Sequence, residues 1–205
     1  MPLKNVVQDN FFDDPDSVRA MALDLHLTYR YQLDSSDELG AWRGMRSLNL
    51  HTINGPYNRA CKELSRQILD FVWQAQDLDN YEYPEDESSL KGQPLKEKYI
   101  APFFHVLPDQ GKLNVPNYEL NKYHRDDVPC AGVVYLSPDP PPNTGTAVLD
   151  PIGNKIDIID NKYNRLVCYD GYQIHAPQDT FGVDLETGRM TFTFFIHELS
   201  VTGEV

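Results

Sequence analysis

A chain of 205 residues, 40% of them hydrophobic, can bury one substantial core, so a single domain over 1–205 is expected and two independent catalytic units are not. Its 31 acidic and 18 basic residues leave a formal charge of −13, which disfavours a nucleic-acid partner because the chain as a whole repels phosphate backbones. No apolar run is long enough to cross a bilayer, and the first residues lack the basic start and apolar stretch of a secretory signal, so a cytoplasmic protein without a membrane anchor is expected. Cys61, Cys130 and Cys168 are too scattered for a disulfide framework and form no CxxC pair, which leaves packing as their role.

In chain order, Asp13-Asp14-Pro15-Asp16-Ser17 supplies acidic capping residues and a first-turn proline ahead of Val18, Met21, Ala22 and Leu25, whose spacing predicts a short helix. Beyond Gly40, Trp42-Arg43-Gly44-Met45-Arg46 leads to a second helix, in which Cys61, Leu64, Ile68, Phe71, Val72 and Ala75 form one apolar stripe. Both helices are expected to pack on a sheet. Between positions 78 and 93, Asp, Asn, Glu, Tyr, Pro and Ser dominate and predict an exposed connection or a substrate-facing lid. The part over 1–98 thus reads as mainly helical. From Tyr99 the texture changes to short β-like runs punctuated by Pro, Gly, Asn and Asp, the pattern of an antiparallel sandwich or barrel. Strands are predicted over 100–107, 117–124, 131–136, 147–149, 155–159, 165–169, 174–176 and 190–199, and 138–142 reads as a rigid proline loop.

Within this β region, His124-Arg125-Asp126 places a histidine and a carboxylate two positions apart. If the segment is extended, both side chains share one face and Arg125 points away. His175 stands at the end of a later strand, in Tyr172-Gln173-Ile174-His175-Ala176-Pro177. Two histidines and one carboxylate on one face leave open positions on a metal, the donor set of non-haem iron(II) oxygenases. Further on, Arg189 and Thr191 again share a strand face; a guanidinium holds a carboxylate through two parallel hydrogen bonds and a hydroxyl adds a third contact, which suits a dicarboxylate.

With these residues in place, the stretch from about Asn117 to Leu199 resembles the 2-oxoglutarate and iron(II)-dependent oxygenase superfamily, especially its prolyl-hydroxylase-like branch. The elements occur in order: His124 and Asp126 as H-x-D, Val133-Val134-Tyr135-Leu136 followed by Ser-Pro, and Asn143-Thr144-Gly145-Thr146 where the family often has a glycine pair and threonine. Arg165-Leu166-Val167-Cys168-Tyr169-Asp170-Gly171, His175, and Arg189-Met190-Thr191 leading to Thr193-Phe194-Phe195 follow. The resemblance implies an α+β protein: a double-stranded β-helix, jelly-roll or cupin-like, over 99–205, with the N-terminal helices packed on one sheet. It implies catalytic iron(II) held by His124, Asp126 and His175. The co-substrate 2-oxoglutarate would chelate the metal and set its distal carboxylate on Arg189 and Thr191. Tyr118, Tyr123 and Tyr135 are candidates for a further contact there, Tyr118 being preferred as the residue upstream of the metal pair. Molecular oxygen would be consumed, succinate and carbon dioxide released, and a C–H bond hydroxylated. The carboxylate of Asp126 favours hydroxylation, since related halogenases carry a small residue in its place.

Each piece alone has a plainer reading. His124 with Asp126 suits a polar turn before Asp127-Val128-Pro129, His175 a hydrogen-bonded loop, and Arg189 a surface ion pair of little energetic weight. Their joint occurrence in this order favours iron. His197 shares parity with Arg189 and is read as a packed or rim residue, His105 as part of a strand, and His26 and His51 as surface or packing residues. The substrate is either a protein or peptide, by analogy with prolyl hydroxylation, or a small molecule. Arg125 and the cluster Trp42, Arg43 and Arg46 are the only substrate hints, suited to an anionic or planar group. Two competing functions use the same residues: a non-catalytic jelly-roll binding module, and a zinc hydrolase with the same three ligands. No motif sets the oligomeric state.

Overall fold

The computed structural model describes residues 3–29, 44–50, 55–76, 100–109, 123–126, 128–150 and 152–196. Among them are ten strands and two helices: β1 (Val6–Gln8), α1 (Pro15–Asp24), β2 (Thr28–Tyr29), β3 (Met45–Arg46), α2 (Asn58–Ala75), β4 (Ile100–Leu107), β5 (Cys130–Tyr135), β6 (Thr146–Leu149), β7 (Lys155–Ile159), β8 (Leu166–Asp170), β9 (His175–Pro177) and β10 (Arg189–Ile196). They form a seven-stranded sheet in the order β1-β8-β5-β10-β4-β3-β2 and a three-stranded sheet in the order β7-β6-β9. Every strand pairing is antiparallel.

The helices form where the signals place them. The Asp14 carboxylate accepts hydrogen bonds from the backbone N–H of Ser17 at 3.0 Å and its hydroxyl at 2.6 Å, capping α1 behind Pro15. The buried stripe of α2 is Cys61, Ser65, Ile68, Leu69, Val72 and Trp73, with Leu64 and Phe71 at its rim. The expected stripe is therefore rotated by a fraction of a turn, which brings in Leu69 and Trp73.

The centre of the large sheet is β10, paired with β4 on one side and β5 on the other. Its alternate residues Met190, Phe192, Phe194 and Ile196 are fully buried in one core with Val18, Met21 and Ala22 of α1 and Cys61, Ile68, Leu69 and Val72 of α2. Cys130, Val134, Leu166 and Cys168 of β5 and β8 join that core. A second core lies between the two sheets, where Ala131, Val133, Tyr135, Val167 and Tyr169 meet Val148 and Ile159 of the small sheet. Because β5 and β8 are covered on both faces, their sequences read as continuous apolar runs, CAGVVY and LVCYD, without alternation.

The expected strands 100–107 and 155–159 have the observed bounds, and the others differ by a residue or two at their ends. Of 117–124, only Tyr123 and His124 lie among the described residues, and His124 forms a single antiparallel bridge to His175. The stretch 78–93 and positions 197–199 lie outside the described residues. The short strands β1, β2 and β3 carry no alternation that sequence could register, being two or three residues long. As expected, the three cysteines are free and buried; Cys130 Sγ and Cys168 Sγ stand 2.9 Å apart, and burial pushes the Cys61 thiol up to about 11. Among the described residues, no helix is long and apolar enough to cross a membrane.

Close approach across β5 is set by Gly132, where a Cβ would meet the Phe194 ring and the Val167 carbonyl oxygen, each at 2.3 Å. Gly132→Ala is therefore expected to destabilise the protein by about 1–3 kcal/mol through overpacking. In urea unfolding this would appear as a lower midpoint at unchanged slope.

Candidate metal centre

His124 and His175 are held by their backbones. The His124 N–H donates to the His175 carbonyl at 3.0 Å and the His175 N–H to the His124 carbonyl at 2.9 Å, so the pair lies directly opposite on adjacent antiparallel segments. Opposed residues in such a pair project from the same face. Asp126 follows His124 by two, and its N–H is fixed by the Gly171 carbonyl at 2.8 Å, which keeps the segment extended and brings the carboxylate to that face. Through β9, which pairs with β6, the same segment extends the small sheet at its free edge.

The three side chains converge. Asp126 Oδ2 lies 3.1 Å from His175 Nε2, Asp126 Oδ1 lies 3.7 Å from His124 Nε2, and one donor atom from each residue falls within 4.8 Å of the others. The imidazole rings stand 4.5 Å apart between centroids at 61°. Cis donors around an octahedral ion with bonds of about 2.1 Å sit about 3 Å apart, so a small rearrangement suffices to accept a metal. His175 Nδ1 lies 2.9 Å from the Gln173 carbonyl oxygen. A carbonyl only accepts, so Nδ1 carries the proton and the Nε2 lone pair faces Asp126, the tautomer and orientation a metal-ligating histidine requires. His175 is buried, whereas the His124 side chain is 36% exposed and forms the open rim of the cluster. The donor set fits an octahedral divalent iron.

Deeper in the space between the sheets lies a second polar group. On β10, the parity that sends Met190 and Phe192 to the helices sends Arg189 and Thr191 to the opposite face. Arg189 is buried; its Nε donates to the Thr144 carbonyl at 2.7 Å and its Nη2 to the Gly145 carbonyl at 3.3 Å. Its guanidinium carbon lies 5.3 Å from the centre of the Tyr135 ring. Among the described residues, no carboxylate pairs with it. A buried cation without a counter-charge costs several kcal/mol, a cost that an anion bound at this end would offset. Thr191 sits opposite Tyr135 in the sheet register, with its Oγ1 3.0 Å from that of Thr193. The Tyr135 hydroxyl shares a 2.7 Å hydrogen bond with Thr146 Oγ1, and burial raises its pKa above the ordinary tyrosine value.

Strand β6 measures the distance between the two ends. Val148 pairs with His175, and Thr146, two residues earlier, meets the Tyr135 hydroxyl. One such step along a strand is about 7 Å. Beside His175 sits Tyr169, whose ring lies 4.5 Å from that of the histidine. Burial, and then the charge of Asp126, raise its pKa well above the ordinary tyrosine value, so its hydroxyl keeps its proton.

Of the tyrosines considered for the co-substrate, Tyr135 is the one brought beside Arg189, while Tyr123 is 37% exposed and Tyr118 lies outside the described residues. Arg125 and His26 are exposed, and His105 is half-buried in β4 opposite Thr191. The Arg46 guanidinium stacks on Phe103 with its carbon 3.6 Å from the ring centre; Trp42, Arg43, His51 and His197 lie outside the described residues. Sequence reasoning missed the carbonyls of Thr144 and Gly145, the Thr146 hydroxyl, Gln173 and Tyr169. The Asn143-Thr144-Gly145-Thr146 run was a signal for the first three, because a Cβ at Gly145 would meet the Ile159 carbonyl oxygen at 1.9 Å.

No protein-family model matches the chain, and no curated protein matches it by sequence. Solved structures do match it in fold. A prolyl hydroxylase in complex with a hypoxia inducible factor oxygen degradation domain peptide fragment, from Trichoplax adhaerens, superposes with a TM-score of 0.57 at 16% identity over 94% of this chain and 83% of that one. A Pseudomonas putida prolyl-4-hydroxylase gives 0.53 at 15% identity over 97% and 94%. HygX from Streptomyces hygroscopicus, with nickel and 2-oxoglutarate bound, gives 0.50 at 10% identity over 97% and 84%. The fold is thus that of the 2-oxoglutarate and iron(II)-dependent oxygenases, the superfamily that the motifs resemble.

If the three side chains form one metal site, Asp126→Ala will abolish binding of manganese(II) or cobalt(II) in a calorimetric titration. Asp126→Glu will retain weakened binding. Wild-type affinity in the alanine variant would show that the cluster is not the metal site.

Proposed function

We propose that the protein is an iron(II)- and 2-oxoglutarate-dependent dioxygenase that hydroxylates a C–H bond of its substrate, in a single domain over 1–205 built on a double-stranded β-helix. The observation that carries the reading is the pairing of a convergent His-Asp-His donor set with a buried arginine lacking a carboxylate partner among the described residues, about one i to i+2 strand step away. A five-carbon dicarboxylate with a 2-oxo acid at one end suits that spacing. His124, Asp126 and His175 would hold iron(II), and Arg189, with Tyr135 and Thr191 beside it, would hold the distal carboxylate. Bound iron would supply oxygen activation coupled to decarboxylation of 2-oxoglutarate to succinate and carbon dioxide.

The chain's own contribution is positioning. Gln173 fixes the tautomer of His175, the Thr144 and Gly145 carbonyls aim the Arg189 guanidinium, and Thr146 orients the Tyr135 hydroxyl. The apolar residues between the sheets keep water from the interior end, which strengthens the arginine–carboxylate attraction. Exposed His124 leaves the metal end open to the substrate. A peptide substrate is the reading favoured by the likeness to prolyl hydroxylases, one of them solved with a peptide fragment; a small molecule is the alternative. A zinc hydrolase would give Arg189 nothing to hold, and a binding module would have no use for the fixed tautomer of His175.

Anaerobic addition of iron(II) and 2-oxoglutarate is expected to produce a weak visible charge-transfer band that is lost in His175→Ala. In air, succinate release should rise when the right member of a panel of peptides, amino acids and metabolites is added. Absence of both band and succinate would sink the oxygenase reading, and oxygen-independent turnover would favour the hydrolase. Arg189→Met is expected to weaken 2-oxoglutarate binding by about 100-fold while leaving metal affinity intact, since it removes one partner of a buried charge pair.

A further inference from the structure

One polar group between the sheets stands apart from the hydrogen bonds of the site. Tyr169 is 5% exposed, yet its hydroxyl makes no hydrogen bond with any described residue, unlike that of Tyr135, which is paired with Thr146. The oxygen is not among the buried polar atoms left without a partner, so a hydroxyl on a largely buried ring still has room to donate to a bound molecule. The Tyr169 ring packs on the His175 ring at 4.5 Å, and Tyr169 stands opposite Ala131 of β5 in the space between the sheets. The contact with His175 puts Tyr169 at the His175 end of the space between the sheets.

We propose that Tyr169 is a further co-substrate contact, its hydroxyl donating a hydrogen bond to the metal-chelating 2-oxo acid end of 2-oxoglutarate; this rests on the oxygenase reading above. Arg189 then holds one end of the co-substrate and Tyr169 the other. A tyrosine suits the position because its ring packs against His175 while the hydroxyl projects beyond the ring. A phenylalanine there would preserve the packing and lose only the donor.

The test is co-substrate binding, measured anaerobically on the iron(II)-loaded protein through the charge-transfer band. Tyr169→Phe is expected to raise the Kd for 2-oxoglutarate about tenfold and shift the band, with iron(II) affinity and the thermal midpoint unchanged. Because the contact is to the chelating end, 2-oxobutyrate, which lacks the distal carboxylate, should lose affinity by the same factor. Unchanged affinity for 2-oxoglutarate in a folded Tyr169→Phe protein overturns the inference and leaves the oxygenase reading standing. A loss confined to 2-oxoglutarate also overturns it, by moving the contact to the distal end. If the wild-type protein binds iron(II) but gives no band with 2-oxoglutarate, both readings fall together. A folding defect would appear in the thermal midpoint, and Tyr169→Met, which fills the same space without a donor, must then reproduce the effect on both acids or the inference fails.

Discussion

Two backbone hydrogen bonds between His124 and His175 set the geometry on which the site depends. They place two residues from distant parts of the chain opposite one another with side chains on one face. Asp126 follows by strand parity, held by the Gly171 carbonyl. Without that bridge, the same three residues would be a polar turn and a loop histidine. The bridge also continues the small sheet outward from β9, so the donor set belongs to a sheet edge and is not carried by a free loop. A site mounted on paired strands keeps its ligands within the narrow tolerances that metal binding and chemistry need.

The other end of the site depends on two-sided burial of the large sheet. Helices α1 and α2 cover one face and the small sheet covers the other, so each central strand must serve two cores. On β10 this gives an apolar face of Met190, Phe192, Phe194 and Ile196, and a mixed face that begins with Arg189 and Thr191. Burying an arginine between sheets costs free energy that carbonyls offset in part and an anionic ligand offsets further. The interior thus holds a buried cation among apolar residues, while the His124 side chain, 36% exposed, lies at the rim of the donor cluster.

Much of the metal end was legible in the order of residues. His124 and Asp126 at a spacing of two, and His175 at a strand end, are local patterns whose meaning depends only on extended backbone. Arg189 with Thr191 was legible for the same reason. The tyrosine beside Arg189 was legible only as one of three candidates, with Tyr118 preferred over Tyr135. Val133-Val134-Tyr135-Leu136 is buried on both faces, so no alternation tells which side chain faces the site and which the helices. Register answers this: Tyr135 lies opposite Thr191, and Val134 joins the helix-facing core. Tyr169 was hidden in the same way, inside the equally continuous run of β8.

What the sequence by itself determined was local: capped helices with apolar stripes, short strands between turn residues, and donor types at spacings that strand and helix periods translate into faces. These follow from steric and hydrogen-bonding rules that act over a few residues. What only the tertiary structure decided was pairing. It chose which strand edge receives His124, that the carbonyls of Thr144 and Gly145 meet Arg189, that Thr146 meets Tyr135, and that Tyr169 leans on His175 with its hydroxyl unclaimed by any described residue. Such contacts join segments far apart in the chain, and two-sided burial removes the period-2 signal that would otherwise announce them.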